Sequence, residues 1–362
     1  MRAQFQPSSP AIPKVRQGCL RDAMRGLPRA IASGAAVAAV AGTICAGGTA
    51  LAAAEPPSLQ LPVDCAMGSM CTIQKYVDHD PGPERMDYAC GRLSKDGDTG
   101  TDFRVPNLPA MEQGVPVVAA APGVVRATRD GMADISVREI GAEAIRGREA
   151  GNGVVIDHGD GWETQYSHLR NGSVAVRKGD SVAAGQRLGL IGMSGNAEFP
   201  HTEFSVRYRG EDVDPFVGTA PFSSCGDPRQ PLWSEAALAQ LAYTPTWLLT
   251  AGFATSRPEA EAARRGAYDQ GALRADADAL VLWADVSGTI AGDVQSFRIE
   301  GPDGAVVHEH TDTLKDNNIS WFAFSGRRPP GGGWQPGRYR GTYTLTRDGT
   351  ALIQQTREVV LE

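Results

Sequence analysis

The sequence is poor in aromatic residues, 7% of 362, and beyond residue 54 it has no apolar run long enough to span a bilayer. It also lacks an excess of positive charge. Lys and Arg number 35 against 42 Asp and Glu, a net charge of −7, which excludes a surface that holds nucleic acid by charge alone. Internal repeats and low-complexity tracts are absent. What the chain has in quantity is 43 Gly and 24 Pro. Frequent turn formers point to short strands and many turns rather than a helical bundle. The length suits two ordinary domains behind a leader.

The leader is read from Arg16, Arg21, Arg25 and Arg29, which precede an Ala-rich apolar run from Ala30 to Ala54 and the small-residue site Ala52-Ala53-Ala54. Residues 1–54 therefore read as an export signal, with Met24 an alternative start, and place the mature protein in the periplasm or outside the cell. Contact with a membrane is expected only through this segment before cleavage. Cys45 follows Thr43-Ile44, a poor setting for lipid attachment. Cys19 and Cys45 leave with the leader, so Cys65, Cys71, Cys90 and Cys225 remain. Four cysteines in an exported chain indicate two disulfides, with three connectivities open. The favoured pairing is Cys65–Cys71 as a local loop and Cys90–Cys225 as a clasp.

Residues 55–97 are Pro-rich and carry three of the four cysteines, so they are expected to wrap the domain that follows. Residues 98–225 contain short strand patterns broken by glycine, among them Val117-Val118, Val124-Val125, Val154-Val155-Ile156, Thr164-Gln165-Tyr166 and Leu188-Gly189-Leu190. Gly159-Asp160-Gly161 reads as a hairpin turn. The polar segment 129–151 has some helical character. Residues 226–272, with helical periodicity from Leu232 to Leu249, read as a helical connector. Residues 273–362 read as a small immunoglobulin-like β-sandwich without a cysteine pair. The expected class is thus β-dominated throughout.

Three strings carry chemistry. They are Asp98-Thr99-Gly100-Thr101-Asp102, Thr164-Gln165-Tyr166-Ser167-His168-Leu169 and His201-Thr202-Glu203. With Lys178-Gly179-Asp180 and the terminal Asp214-Pro215, they resemble the lysostaphin-type (LytM-like) zinc metalloendopeptidases, which cut peptide cross-bridges in bacterial cell walls. The resemblance covers roughly residues 98–216. It implies an antiparallel β domain of the LytM type (a duplicated hybrid motif), a groove, and a zinc ion held by His-x-x-x-Asp and the last residue of His-x-His. Carried over by position, Asp102 fills the carboxylate ligand place. His168 and His201 fill the two assisting-histidine places, and Tyr166 matches the family's tyrosine, so the resemblance implies that all three are catalytic residues of the groove.

Two ligand places depart from the pattern, because Asp98 and Glu203 stand where the family has histidine. Zinc catalysis needs three protein ligands and one open position, and imidazole suits zinc well. Three carboxylates suit Ca²⁺, Mg²⁺ or Mn²⁺ better, and without a metal they repel. The reading preferred from the residues is a degenerate domain that binds wall peptide or a partner amidase without cutting. The alternatives are an active endopeptidase with an Asp/Asp/Glu site for zinc, manganese or calcium, and an interaction protein acting through the sandwich. Among the other residues, His79 reads as a solvated loop histidine, His158 as structural, and His308 and His310 as exposed strand histidines.

Overall fold

A computed structural model describes residues 55–362; the expected leader, with Cys19 and Cys45, lies outside the described residues. The described chain is mostly strand. The first half contains β1 (Thr72–Lys75), β2 (Thr101–Arg104), β3 (Pro116–Val118), β4 (Gly123–Arg129), β5 (Asn152–Gly159), β6 (Trp162–Leu169), β7 (Ser181–Val182), β8 (Arg187–Leu190), β9 (His201–Tyr208) and β10 (Glu211–Val213). Two short helices, α1 (Leu108–Gln113) and α2 (Val137–Ile140), interrupt them. The main sheet runs β1-β2-β9-β6-β5-β4-β7 with β10 hairpinned onto β9, and β3 pairs β8 separately. No helix among the described residues is long and apolar enough to cross a membrane.

Alternation decides which face of the sheet is which. Phe103, Tyr166, Phe204 and Val206 are fully buried on one face. Asp102, His201 and Glu203, one residue out of phase, lie on the other, with Asp102 opposite Glu203 and Arg104 opposite His201. The β5–β6 hairpin closes through Gly159, Asp160 and Gly161, all with positive φ, a conformation that glycine adopts without strain.

The segment 55–97 belongs to this unit rather than preceding it. Thr72–Lys75 adds the edge strand β1 to β2, Leu59 bridges to Trp233, and Val63 bridges to Val117. Cys65 is bonded to Cys71 and Cys90 to Cys225. The second bond joins residues 135 positions apart, the first only 6. On a chain-entropy account the long loop contributes about 4–5 kcal/mol and the short one about 2 kcal/mol. Urea unfolding of Cys90→Ser/Cys225→Ser should therefore show roughly twice the loss of Cys65→Ser/Cys71→Ser. Equal losses would mean that the long clasp constrains little.

The second half departs from the helical connector expected over 226–272. Only α3 (Glu235–Leu238) and α4 (Ala260–Arg264) are helical there, and residues Trp247–Ala254 form strand β11. Leu249, Ala251 and Phe253 alternate into the core, a period of two that the Leu- and Ala-rich composition masks. With β12 (Ala272–Leu273), β13 (Leu280–Thr289), β14 (Val294–Glu300), β15 (Val306–Thr313), β16 (Asn318–Arg327), β17 (Gly337–Arg347) and β18 (Thr350–Leu361) it builds two sheets, β11-β13-β16 and β12-β18-β17-β14-β15. Their inner faces share one core that includes Phe253, Leu282, Phe297, Tyr343 and Leu345. The strand architecture therefore starts at Trp247, not at residue 273.

The two halves touch close to the groove face of the first sheet. Arg265 on the loop after α4 reaches Glu139 of α2 at 3.2 Å, and Arg138 of α2 stands 3.8 Å from Glu261 of α4. His79, expected in a solvated loop, is instead bonded through Nε2 to Asp214 Oδ2 at 2.7 Å and packs on Phe222.

Candidate functional site

The residues singled out from the sequence converge around the β2–β9 pair, with one exception and one addition. The exception is Tyr166. Its ring is fully buried among Phe204 and its neighbours, and its hydroxyl accepts from the Ala120 amide at 2.7 Å. Strand alternation turns Tyr166 to the core, so it shapes the domain from beneath and does not face the groove. Burial also pushes its hydroxyl up to about 12.

The addition is Lys75. Strand β1 pairs with β2 through Thr72–Arg104 and Ile73–Phe103, then skips Gln74 so that Lys75 lies opposite Asp102. This one-residue bulge turns the Lys75 side chain onto the groove face, a common effect of bulges. Its Nζ stands 2.7 Å from Asp102 Oδ2, a close ion pair, and donates a hydrogen bond to Asp98 Oδ2 at 3.2 Å. Asp102 is almost completely buried. Burial opposes its charge, but Lys75 and then His201 hold its carboxyl below the usual range. Asp98 goes the other way: burial and the neighbouring Asp102 push it up to about 6 against the pull of Lys75. Burial works against the charge of Lys75 itself, yet the two carboxylates outweigh it and raise its affinity for the proton.

Glu203 is turned to a histidine. His168 Nε2 lies 3.0 Å from Glu203 Oε2, while His168 Nδ1 lies 2.7 Å from the Ser194 carbonyl oxygen. Both ring nitrogens thus face acceptor oxygens. His168 escapes the alternation of β6 through a positive φ of 61°, and its buried ring meets Glu203 on the face opposite the core. For Glu203, burial opposes ionisation, but the hydrogen bond and charge of His168 keep its carboxyl below its usual value. Gly100 permits the approach of this side chain, because a Cβ there would meet Glu203 Cγ at 2.6 Å.

His201 differs from His168. Its Nδ1 lies 2.8 Å from the Phe199 carbonyl, and its Nε2 is 3.7 Å from Asp102 Oδ1, beyond a hydrogen bond. Burial lowers its pKa to about 4, so the ring is neutral, donates from Nδ1 and presents a bare Nε2. The two imidazoles stand 4.7 Å apart between centroids. Next to His201 in the register, Arg104 is 2% exposed, and burial draws its guanidinium down to about 10.

Two separate cavities adjoin the Lys75–Asp98 pair, one lined by each partner. One, of about 760 Å³, opens on Asp98 and is walled by Asp78, Asp96, Asp212 and Asp214. The other, of about 360 Å³, is lined by Lys75 and His201 and carries four further cationic side chains, Lys95, Arg104, Arg138 and Arg264. His158, by contrast, is tied to the Pro122 carbonyl and the Thr164 hydroxyl, a structural role.

The sequence profile of Peptidase family M23 matches residues 97–215. Similar proteins include the peptidoglycan DD-endopeptidase ShyA of Vibrio cholerae, 35% identical over 125 residues, which are 34% of this chain and 24% of ShyA. The murein hydrolase activator NlpD of Salmonella dublin is 29% identical over 103 residues, 28% of this chain and 25% of that protein. A solved zinc-containing peptidase from Vibrio cholerae is 29% identical with a TM-score of 0.30, covering 44% of this chain and 39% of that one. The chain spans about a quarter of the length of the curated relatives named here. Residues 97–215 are thus a domain of peptidase family M23, the LytM or lysostaphin type.

The family implies zinc, and the side chains here do not fit it. Among the described residues no group of three or more His, Cys, Asp or Glu side chains is arranged to hold a metal ion. An ammonium group lies against the two aspartates expected as ligands, and the expected third ligand, Glu203, is engaged with His168. A divalent ion near Asp102 would meet the positive charge of Lys75 at close range, where like charges repel strongly in a buried setting.

Proposed function

We propose that this is an exported protein whose M23-type domain works at the peptidoglycan without cutting it, holding wall peptide, or a partner cell-wall amidase, in the groove between Asp98 and His201. The observation that carries this reading is Lys75. Its ammonium neutralises Asp98 and Asp102 from within the chain, the task a metal performs in a hydrolytic member of the family. A fixed lysine satisfies the carboxylates and keeps the groove folded, but it offers no open coordination position and cannot activate water. Asp98 and Glu203, where the family pattern has histidine, agree with that loss.

Binding is supported by the charge of the groove. An acidic cavity and a basic one lie beside the two partners of the Lys75–Asp98 pair, an arrangement suited to a peptide carrying both signs of charge. The likeness to a protein named as a murein hydrolase activator favours the amidase as the alternative occupant of the same groove. The Arg-rich and Ala-rich leader supports export to the periplasm.

The test is co-sedimentation of the purified protein with isolated peptidoglycan, alongside assay of released muropeptides and elemental analysis of the protein. The expected result is binding to the wall, no soluble fragments, and no stoichiometric divalent metal. Release of muropeptides in the presence of zinc, manganese or calcium would replace this reading with that of an active endopeptidase.

A further inference from the structure

We propose that the cationic pocket beside His201 is a carboxylate-binding site that seats the free carboxyl end of a short peptide, an inference that rests on the peptide-binding reading of the groove. The pocket of about 360 Å³ is lined by Lys75, Lys95, Arg104, Arg138 and Arg264 against a single lining carboxylate, Glu198. This is a local excess of positive charge in a chain whose net charge is −7.

The central residue is Arg104. Its side chain comes from β2 opposite His201 and is nearly devoid of solvent contact. Its partners are all neutral: the Gln74 side-chain oxygen and the carbonyls of Val105 at 3.3 Å and Pro106 at 3.5 Å. The guanidinium lies 4.3 Å over the ring of Phe199. Among the described residues, neither Arg104 nor Lys95 forms an ion pair, whereas the other three cations do. A buried cation supported only by neutral acceptors is costly, and a buried Arg normally has a charged partner. A planar carboxylate presents the two oxygens that a guanidinium fork binds best.

The remaining walls orient the site. Arg138 is held by Glu198 at 2.6 Å, and Arg264 by Asp285 at 2.7 Å and by the Ser320 hydroxyl at 2.8 Å. These anchors fix two cations at the pocket's rim without filling it. Arg264 comes from α4 and Ser320 from β16, so the second half of the chain completes a pocket begun by the M23-type domain. The pocket opens on the Lys75 end of the ion-pair cluster, which places a bound carboxylate at one end of the groove with the acidic cavity at the other. This gives the peptide a direction.

The experiment is titration calorimetry of the whole protein with Nα-acetyl-Lys-D-Ala-D-Ala, with the same peptide as its C-terminal amide, and with acetate and inorganic phosphate. The acid should bind at least about tenfold tighter than the amide, the loss expected for a hydrogen-bonded charge. Arg104→Gln should abolish that difference, and acetate should compete for the acid. Lys95→Gln, at an exposed position, should weaken the acid several-fold with folding intact, which keeps the test valid if Arg104→Gln fails to fold. Equal binding of acid and amide would overturn the carboxylate site while leaving the groove reading in place. An Arg104-dependent acetate site with no affinity for either peptide would support the pocket and remove the groove reading. Preference for phosphate over every carboxylate, or no binding of any probe, would overturn the inference.

Discussion

Lys75→Met should cost the protein roughly 3 kcal/mol of stability, and the variant should then respond to divalent cations where the wild type does not. Removing one member of a buried ion pair leaves the other charge unpaired, at a typical cost of about 3–5 kcal/mol. The lower end applies because the Lys75 side chain keeps 20% of its surface exposed, while Asp102 keeps 1%. Methionine retains the length of the stem and removes the charge. Asp98 and Asp102 then face each other without a cation, and Glu203 stands close by. Two escapes remain open to the variant, protonation of Asp98 or capture of a cation from solution. Oxygen donors favour manganese or calcium, and an ion at 100 times its dissociation constant restores about 2.7 kcal/mol. Urea unfolding with chelator and then with millimolar manganese or calcium measures both effects. A variant as stable as wild type, or one indifferent to metal, would mean that Lys75 does not act as the internal cation.

The sequence was readable where chemistry and periodicity coincide. The three strings around Asp102, His168 and His201 locate the M23-type domain, and the Gly159–Gly161 turn marks the hairpin between β5 and β6. Lys75 was not readable. It lies 23 residues before Asp98 in a segment whose visible signal is cysteine and proline, and it reaches the groove only through a one-residue bulge that no local pattern announces. Arg104 carries no signal in the sequence for a related reason. A charged residue two positions after Asp102 looks solvent-facing, yet Gln74 bonds its guanidinium and Phe199 lies beneath it. Tyr166 shows the opposite failure. Motif position suggested the groove, yet the period of two along Trp162, Thr164 and Tyr166 already pointed to the core, where all three are buried. The strand at Trp247–Ala254 was hidden by residues that also favour helices, and its packing against β13 decided the matter.

The largest functional change should come from reversing the site. Asp98→His with Glu203→His restores the family's two imidazoles, yet that pair of changes alone should bind zinc poorly. The Lys75 ammonium still stands 2.7 Å from Asp102 and repels the ion at the carboxylate it must use. Adding Lys75→Ala removes that charge and opens the space. Asp102 is held below the usual carboxylate range, and burial lowers the His201 imidazole beside it to about 4. The triple variant should therefore bind zinc at least about 100-fold tighter than the double, since even outer partners of a metal ligand change affinity by 10–100-fold. Competition against a chromogenic chelator gives the affinities, and elemental analysis gives the stoichiometry. Equal affinity of double and triple variants would show that Lys75 is no obstacle to the metal. Absence of zinc from the triple would show that Asp98 and Glu203 are not ligand positions at all. Stoichiometric zinc only in the triple would identify the lysine as the residue that took over the metal's charge, and muropeptide release by that variant would then measure how much of the hydrolytic apparatus His168 and His201 still hold in place.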